Sequence, residues 1–487
     1  MKKLIALFTL MATTAHALPP SGGSEREPLP RLLITTDNPI NAQKKVDGRM
    51  KVYDSGSADA PCSYDGTIGI KWRGNSSLSF DQKKYTLETR DADGHDLDAT
   101  LLGMPAESDW VLLAPYNDIS MLRDVFAFDL WNQMGHWAPR TRLCEVEVNG
   151  EYMGIYALSE RIKRSPNRVN IAKLKPADTT GRELTGGYIV RIDAFDQDDV
   201  TFTSKVKGLQ TAQQFGGFPG FGGFGGLPAP GVCTWTVCYP KKKNLQPEQL
   251  AYIEDYIDHM EQSFQQENYT DPKQGYAQWI DVASFVDYFI HTELSLNADG
   301  FKRSTYFYKD KDQADGTRSK LVAGPVWDYN LAFGNCNFCS AADVEAWVYE
   351  GCETNPTPVF WKLLAADPAF MQAVRKRYGE LRRTLLSQER IDRFFDSHAA
   401  LLAEAKDRHF AKYANLFSKP QAAEPSPQGG APFGFPPVFG SFATFNPVAM
   451  FAAYTVASYD EEIATVKKWF AQRLAFLDSH WLAVKND

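Results

Sequence analysis

The chain has 487 residues, of which 44% are hydrophobic and 13% aromatic, enough for packed cores in two or three lobes. Its 52 Lys and Arg residues against 60 Asp and Glu residues give a formal net charge of −8. A mildly acidic protein has no overall electrostatic attraction to nucleic acid, so we expect no nucleic-acid partner.

The first 17 residues have the three parts of a secretory signal peptide. Lys2 and Lys3 form the basic start, residues 4–11 are apolar, and residues 15–17 match an A-x-A cleavage site. This apolar stretch is far shorter than the roughly 20 residues that cross a bilayer. We therefore predict export to the periplasm, the cell surface or the medium, with no transmembrane segment after cleavage.

All seven cysteines follow the predicted cleavage site, and an oxidising compartment favours disulfides. Cys233 and Cys238 are close enough in sequence to predict a local disulfide, and the odd total leaves one thiol free or available to another chain. Cys336 and Cys339 have the C-x-x-C spacing of half a zinc site, but this interpretation is the weaker one because no second ligand pair follows. The remaining cysteines form one group and two isolated positions: Cys336, Cys339 and Cys352, then Cys62 and Cys144.

A flexible leader (residues 18–30) precedes a β-rich unit that we predict over residues 31–165. A helix with Asp118 as its N-cap is predicted at 119–134, and the Asn149-Gly150 pair predicts a hairpin turn. Strands are indicated by β-rich or alternating patterns. They are 32–36, 67–72, 84–88, 145–148 and 152–156.

The rest of the chain, residues 166–487, is predicted to be a connecting segment followed by a mainly helical unit. Two inserts rich in Gly, Phe and Pro, 214–231 and 419–447, favour loops over regular elements. The predicted helices are 248–265, 281–296, 361–385, 391–412 and 458–481, and the predicted strands are 304–309 and 321–327.

Two aspartates lie at opposite ends of the predicted hairpin that follows helix 281–296. Asp299 comes just after the helix and Asp328 just after the second strand. Phosphoryl transfer uses one carboxylate for the acceptor hydroxyl and another for Mg²⁺, and kinases place them in this order along the chain. On spacing alone, ordinary turn residues explain both aspartates better.

A polar loop followed by two lysines is the second candidate. The loop ends strand 67–72 and offers backbone N–H groups and hydroxyls to phosphates. Taken alone, a solvated loop with two surface lysines explains this pattern better. We favour Lys83 over Lys84 as the phosphate ligand, because Lys83 alternates onto the apolar face of the strand 84–88. A kinase lysine needs an acidic partner, and Asp124 and Glu160 are both candidates, each equally consistent with a structural ion pair.

These segments resemble the successive motifs of the CotH kinase family. The resemblance covers about residues 31–335 and runs through five motifs in family order, where one alone is weak. It implies a diverged protein-kinase-like fold of the α+β class, with a β-rich N-terminal lobe and a mainly helical C-terminal lobe. The motifs are 73–77, 149–156 with Glu160, 186–189, 297–300 and 327–335.

The resemblance also implies ATP, Mg²⁺ or Mn²⁺, and a protein acceptor with Ser or Thr. Asp299 resembles the catalytic aspartate and Asp328 the metal-binding aspartate. Asn330 stands where many relatives have a second aspartate, and its amide oxygen is a weaker ligand. The residues that resemble nucleotide-binding elements are Arg73, Asn75, Ser76, Ser77, Lys83 and Glu160.

Two functions follow from the resemblance. The first is a secreted kinase that transfers the γ-phosphate of ATP to an extracytoplasmic protein. The second is a weakly active or inactive protein-binding module, because the family includes surface adhesins and ATP is scarce outside the cell. The combination of Asp299, Asp328 and Lys83 favours the kinase, since an adhesin has no evident use for it.

Overall fold

The structure is a computed structural model that describes residues 28–57, 61–195, 198–206, 233–352, 356–417 and 454–483. The predicted signal peptide, most of the predicted leader and both low-complexity inserts lie outside these residues. The described chain has the mixed α+β character that the sequence predicts, with strands first and most helices later.

Seven strands close a barrel in the order β1-β2-β3-β4-β7-β9-β8. All neighbours are antiparallel except β1 and β8, and the short β5–β6 hairpin stands outside the barrel. The strands are β1 (Arg31–Thr36), β2 (Val46–Tyr53), β3 (Tyr64–Arg73), β4 (Lys84–Arg90), β5 (Ala99–Leu101), β6 (Met104–Glu107), β7 (Asp109–Leu113), β8 (Thr141–Val148) and β9 (Glu151–Glu160).

Alternating apolar residues fill the barrel. Ile68 and Ile70 on β3 and Leu87 on β4 are fully buried, and Tyr85 is 2% exposed. The β8–β9 turn is the predicted one: Asn149 (φ +52°) and Gly150 (φ +81°) both have the left-handed backbone that a tight hairpin requires. Local turn chemistry and period-2 alternation therefore specify the barrel interior.

A second, antiparallel sheet follows in the order β11-β12-β10-β13-β14. Its central strand β10 pairs with β13 from Tyr188↔Lys309 to Ile192↔Thr305, which joins segments more than a hundred residues apart. The strands are β10 (Tyr188–Ile192), β11 (Thr201–Thr203), β12 (Thr234–Tyr239), β13 (Thr305–Lys309) and β14 (Leu321–Ala323).

Helices pack around the second sheet. Phe126 of the first helix contacts Phe394, Phe395 and Phe470, with ring centroids 5.0–5.5 Å apart. This helix therefore belongs to the helical core, although barrel strands flank it in sequence. The helices are α1 (Arg123–Gln133), α2 (Gly181–Leu184), α3 (Pro247–Ser263), α4 (Val282–Ser295), α5 (Val359–Ala366), α6 (Pro368–Arg382), α7 (Gln388–Leu402), α8 (Ala405–Lys412) and α9 (Tyr459–Trp481).

Three predicted helices differ from the observed ones. The predicted helix 361–385 is broken into α5 and α6, because Asp367 caps the amide of Ala369 and Pro368 starts a new helix. The predicted helix 391–412 likewise divides into α7 and α8. Helix α1 begins at Arg123 rather than at residue 119, after a turn in which Asp118 accepts the Arg123 amide at 2.9 Å.

No helix among the described residues has the length and hydropathy of a membrane span.

The predicted Cys233–Cys238 disulfide is wrong. Both thiols are free. Cys233 directly precedes β12 and Cys238 lies on it, so five residue steps along an extended strand place their Cα atoms about 16 Å apart, beyond disulfide reach. The structure joins Cys339 to Cys352, which closes a loop directly after the Asp328 segment. Cys336 of the same predicted group is a buried free thiol.

A buried ion pair holds that loop against α4. Arg473 of α9 and Glu293 of α4 are both fully buried, with Nη2 and Oε2 3.5 Å apart. Glu293 accepts the Val348 amide at 2.9 Å, and Arg473 donates to the Val344 carbonyl at 2.6 Å. Burial raises the pKa of Glu293 to about 7, against the lowering effect of Arg473.

We expect Arg473→Met to lower the free energy of unfolding by about 3–5 kcal/mol at pH 8, because it leaves the Glu293 carboxylate buried without its cation. A carboxyl group with a raised folded-state pKa destabilises the fold above that pKa, so the loss should shrink as pH falls from 8 to 5. Urea unfolding at both pH values measures this. The control, Arg382→Met, breaks a part-exposed pair with Asp478 and should cost about 1 kcal/mol or less; equal losses for both variants would contradict the prediction.

Candidate active site

Asp328 lies where the second sheet meets the barrel. It follows β14 and the buried Trp327, and its backbone is left-handed (φ +65°), a conformation that Asp tolerates better than most residues. Lys84, at the start of barrel strand β4 and 9% exposed, places Nζ 3.5 Å from Asp328 Oδ1. This ion pair joins residues 244 positions apart and connects the two sheets at one point.

A second carboxylate from α1 completes this pair. Asp124 Oδ1 accepts the backbone amide of Tyr329 at 2.6 Å, so the first turn of α1 is bonded directly to the Asp328 segment. Burial raises the pKa of Asp124 to about 7, against the lowering effect of Lys84, and the charge of Asp328 adds to the rise. Lys84 is thus electrostatically coupled to two carboxylates, one on a helix and one on a loop.

The structure brings Lys84, not Lys83, to this site. Alternation placed Lys83 on the same strand face as Tyr85 and Leu87. That face points into the closed barrel, where a lysine has no room, so it is not the face that meets Asp328. Lys83 precedes β4 and turns away: Nζ donates to the Leu78 carbonyl at 2.9 Å and lies 5.7 Å from the Trp72 ring centroid.

Glu160 also lies elsewhere. It is fully buried at the end of β9, where its carboxylate accepts Arg140 Nε at 2.8 Å and Nη2 at 2.7 Å, and Arg168 is 3.7 Å away. Of the two acidic partners that the sequence left open, Asp124 is the one bonded to the residue after Asp328, whereas Glu160 belongs to a structural ion-pair network. Lys84 acts on Asp124 through charge, and its ion pair is with Asp328.

Asp299 follows α4 and its left-handed C-cap Leu296. Its backbone amide donates to Asn297 Oδ1 at 3.2 Å, and Arg303 Nε lies 4.0 Å from its carboxylate. Burial raises the pKa of Asp299 to about 6, against the lowering effect of Arg303, and the charge of Asp328 adds to the rise. The two aspartates predicted from their order in the chain are therefore near enough to influence each other.

Of the predicted polar loop 73–77, Arg73, which is the last residue of β3, lies at the site. Arg73 stacks its guanidinium over the ring of Trp327 at 5.1 Å from the centroid, beside Asp328. Asn75 is exposed, while Ser77 is buried in the turn that begins at Ser76. A side chain at Gly74 (φ +118°) would place Cβ 1.9 Å from Ser77 Oγ, so this tight turn requires glycine.

Oxygen ligands for a divalent cation lie on both sides of Tyr329. Asp328 supplies a carboxylate, and Asn330 donates its Nδ2 to Asn117 Oδ1 at 3.0 Å, which directs its own amide oxygen away from that bond. Carboxylate and amide oxygens suit Mg²⁺ and Mn²⁺. Within the described ranges, no three carboxylate, His or Cys groups that include Asp328 come within 4.8 Å of one another. The donor set therefore fits a cation shared with phosphate oxygens rather than one enclosed by protein.

A cleft between the barrel and the second sheet opens beside Trp327, with a volume of about 270 Å³. Its polar character comes from side chains that the sequence patterns did not single out, apart from Arg73. The cations that line this cationic cleft are Arg73, Arg161, Arg191, Lys241 and Lys242.

Sequence reasoning missed Asp193 as well. It follows β10, lies 3.8 Å from Arg191, and accepts Ser304 Oγ at 3.4 Å. Burial raises the pKa of Asp193, against the lowering effect of Arg191, and Asp328 contributes to the rise. Only the pairing of β10 with β13 brings Asp193 near Asp299 and Asp328, and no local motif signals that pairing.

A family model matches most of the chain. Residues 70–477 match the family model described as CotH kinase protein, which takes in most of the chain and the residues of the candidate site from Arg73 to Asn330. No curated protein matches the chain. A match of this extent confirms the resemblance found in the motifs. The chain belongs to the CotH kinase family.

Proposed function

We propose that this protein is an atypical protein kinase, exported from the cytoplasm, that transfers the γ-phosphate of ATP to a Ser or Thr hydroxyl of a protein. The observation that carries the proposal is the Lys84–Asp328 contact at 3.5 Å, with Asp124 bonded to the adjoining residue. A lysine, its helical acidic partner and an aspartate after a strand pair are the parts with which kinases hold phosphates and metal. The diverged two-lobed kinase-like fold belongs to the same proposal.

The roles follow from position and charge. Lys84 binds phosphate oxygens, and Asp124 and Asp328 keep the lysine oriented. Asp328 and Asn330 would hold Mg²⁺ or Mn²⁺, which supplies positive charge to the phosphates when bound. The donor set supports this role because all its ligand atoms are oxygens.

Asp299 acts on the acceptor. Its carboxylate takes the proton of the Ser or Thr hydroxyl, whose oxygen forms the new bond to the γ-phosphorus as the bond to the β-phosphate oxygen breaks and ADP leaves. A pKa of about 6 keeps Asp299 ionised at neutral pH while leaving it more basic than an ordinary aspartate. Arg303, 4.0 Å away, favours the ionised form.

The alternative function is an adhesin-like binding module. It gives no reason for Lys84, Asp124 and Asp328 to lie together. Lys84 is 9% exposed and Asp124 is half-buried, and burying charge costs stability unless a function or a partner offsets it. A module that binds proteins through its surface needs none of these groups. The kinase is therefore the function that the site supports best.

Calorimetry with ATP and Mg²⁺ or Mn²⁺ tests the proposal. We expect the mature protein to bind ATP only with metal present. Asp328→Ala should lose this metal-dependent binding, because the substitution removes the carboxylate ligand. Asp315→Ala, at an exposed turn of the second sheet, serves as the matched control and should bind like the unmodified protein.

Absence of binding by a folded protein with either metal rejects the active-kinase proposal and leaves the binding module as the better one. Binding that Asp328→Ala leaves unchanged would instead place the metal elsewhere. Thermal unfolding of each variant establishes whether it is folded.

A further inference from the structure

The cationic cleft carries more positive charge than its own carboxylates balance. Five cations line it against two carboxylates, Asp198 and Asp199. Both carboxylates are already engaged: Asp199 lies 3.3 Å from Arg191 and Asp198 lies 3.6 Å from Lys242. Outside the lining, Asp109 lies 3.3 Å from Arg161 and Asp193 lies 3.8 Å from Arg191. Arg73 and Lys241 have no carboxylate within 4.0 Å among the described residues. The cleft is therefore an anion site by charge.

Arg73 is the most informative of these cations. Within the described part of the chain, no carboxylate lies within 4.0 Å of its guanidinium, and its contact is with the Trp327 ring at 5.1 Å. Burial lowers the pKa of Arg73, and the charges of Arg161 and Arg191 lower it further. A half-buried cation among like charges is costly, and an anionic ligand removes that cost.

The cations extend from the reaction centre into the cleft. Arg73 lies at the end next to Asp328, since it stacks on the preceding residue. Arg161 comes from the barrel side, after β9, and Arg191 from β10 of the second sheet, so guanidinium groups face the cleft from both walls. Guanidinium groups bind phosphate oxygens in pairs of parallel hydrogen bonds, which suits a chain of several phosphates.

The neutral part of the lining offers little to distinguish one nucleobase from another. Ile162, Val200 and Val237 are apolar, and Tyr306 OH already accepts a hydrogen bond from Arg191 at 3.3 Å. Thr236 is buried and its hydroxyl has no hydrogen-bond partner among the described residues. Trp327 and Cys238 complete the neutral lining, and the Trp327 ring is covered by Arg73. Strong discrimination between bases requires several directional polar partners, and Thr236 supplies one.

We propose that the cationic cleft recognises the phosphoryl donor through a chain of three or more phosphates, held by Arg73, Arg161 and Arg191, and not through its base. This inference rests on the proposed kinase function and specifies its donor class. ATP, GTP and inorganic polyphosphate share the recognised chemistry. The cleft therefore accepts nucleoside triphosphates without preference for the base and binds inorganic tripolyphosphate.

Competition binding on the mature protein tests this inference. We expect ATP, GTP and inorganic tripolyphosphate, each with Mg²⁺, to bind with dissociation constants within roughly threefold of one another and to compete for one site. All three should weaken as salt rises, because the attraction is between charges. The double variant Arg161→Gln/Lys241→Gln should weaken all three by the same factor, roughly tenfold or more.

The matched control, Arg182→Gln/Lys376→Gln, removes two exposed cations that do not line the cleft and should leave all three affinities unchanged. Arg161→Lys, which keeps the charge, should retain more affinity than Arg161→Gln, and this comparison remains informative if the double variant folds poorly. A separate arm offers labelled ATP or labelled tripolyphosphate as donor. Phosphate transfer from ATP alone identifies the nucleotide as the donor. Phosphate transfer from both compounds shows that inorganic tripolyphosphate is a donor as well.

Failure of this inference differs from failure of the kinase proposal. Binding of ATP without binding of tripolyphosphate, or with GTP weaker by tenfold or more, overturns donor recognition by phosphates and leaves the kinase standing. Equal binding of all three ligands, without transfer from any, supports the inference and rejects the kinase. No binding of tripolyphosphate under any condition overturns the inference.

Discussion

Asp299→Asn should lower the rate of phosphate transfer by roughly 10²–10⁴-fold while leaving the dissociation constant of ATP with Mg²⁺ nearly unchanged. An amide of the same shape cannot take the hydroxyl proton, whereas the residues proposed to hold ATP are intact. Autophosphorylation and ATP hydrolysis, followed with labelled ATP, measure the rate, and calorimetry measures the affinity.

The pH dependence of the same reaction gives an independent check. Because burial raises the pKa of Asp299 to about 6, the base is ionised above that pH and protonated below it, so the rate should fall as pH drops through about 6. Asp315→Asn, at an exposed turn, should keep both the rate and the pH profile. A rate for Asp299→Asn within a few-fold of the unmodified protein contradicts the proposed role of Asp299.

Lys84→Met should abolish metal-dependent ATP binding or reduce transfer by roughly 10²–10³-fold, since it removes the cation that pairs with Asp328 and is proposed to bind phosphate. Methionine retains the volume of the lysine stem, so the packing at the start of β4 should survive. The same substitution also leaves two coupled carboxylates without their cation, so the pKa of Asp124 should rise above 7.

The neighbouring Lys83→Met is the matched control because the chemical change is the same one position away. Lys83 donates to the Leu78 carbonyl outside the site, so its loss should affect stability slightly and transfer by less than about threefold. Reversed results, with Lys83→Met inactive and Lys84→Met active, would restore the original prediction from the strand pattern.

The contrast between these two lysines shows where sequence patterns succeed. Alternation in 84–88 predicts β4 and the inward face of Tyr85 and Leu87, because period 2 is a local property. The pattern does not reveal that the inward face belongs to a closed barrel and that the functional partner lies outside it. That information resides in a contact between Lys84 and Asp328, which are 244 positions apart.

Long-range pairing limits the prediction of the site in the same way. Asp299 and Asp328 are predictable because one short hairpin connects them in sequence. Asp193 and Arg191 reach the same region only through the pairing of β10 with β13, and neither has a motif of its own. The cationic cleft was missed for this reason: its cations come from separate elements and are adjacent only after folding.

Helix breaks and disulfides were missed for local reasons that the periodic pattern obscures. Apolar spacing continues through 361–385, but Asp367 followed by Pro368 ends one helix and starts the next. Cys233 and Cys238 appear close in sequence, yet an extended strand separates them. The helix break could have been predicted from the Asp367 cap and Pro368. The separation of the two cysteines could have been predicted from the rise per residue of an extended strand.

Arg123, next to Asp124 on α1, is fully buried and donates to Glu462 at 2.7 Å, to Tyr454 OH at 2.7 Å and to the Ala332 carbonyl at 3.1 Å. These bonds fix the first turn of α1 to α9 and to the segment that follows Asp328. Moving α1 outward would expose this guanidinium to solvent or leave it buried without its partners, and the second is costly. The bonds of Arg123 therefore hold Asp124 and the segment after Asp328 together as one unit.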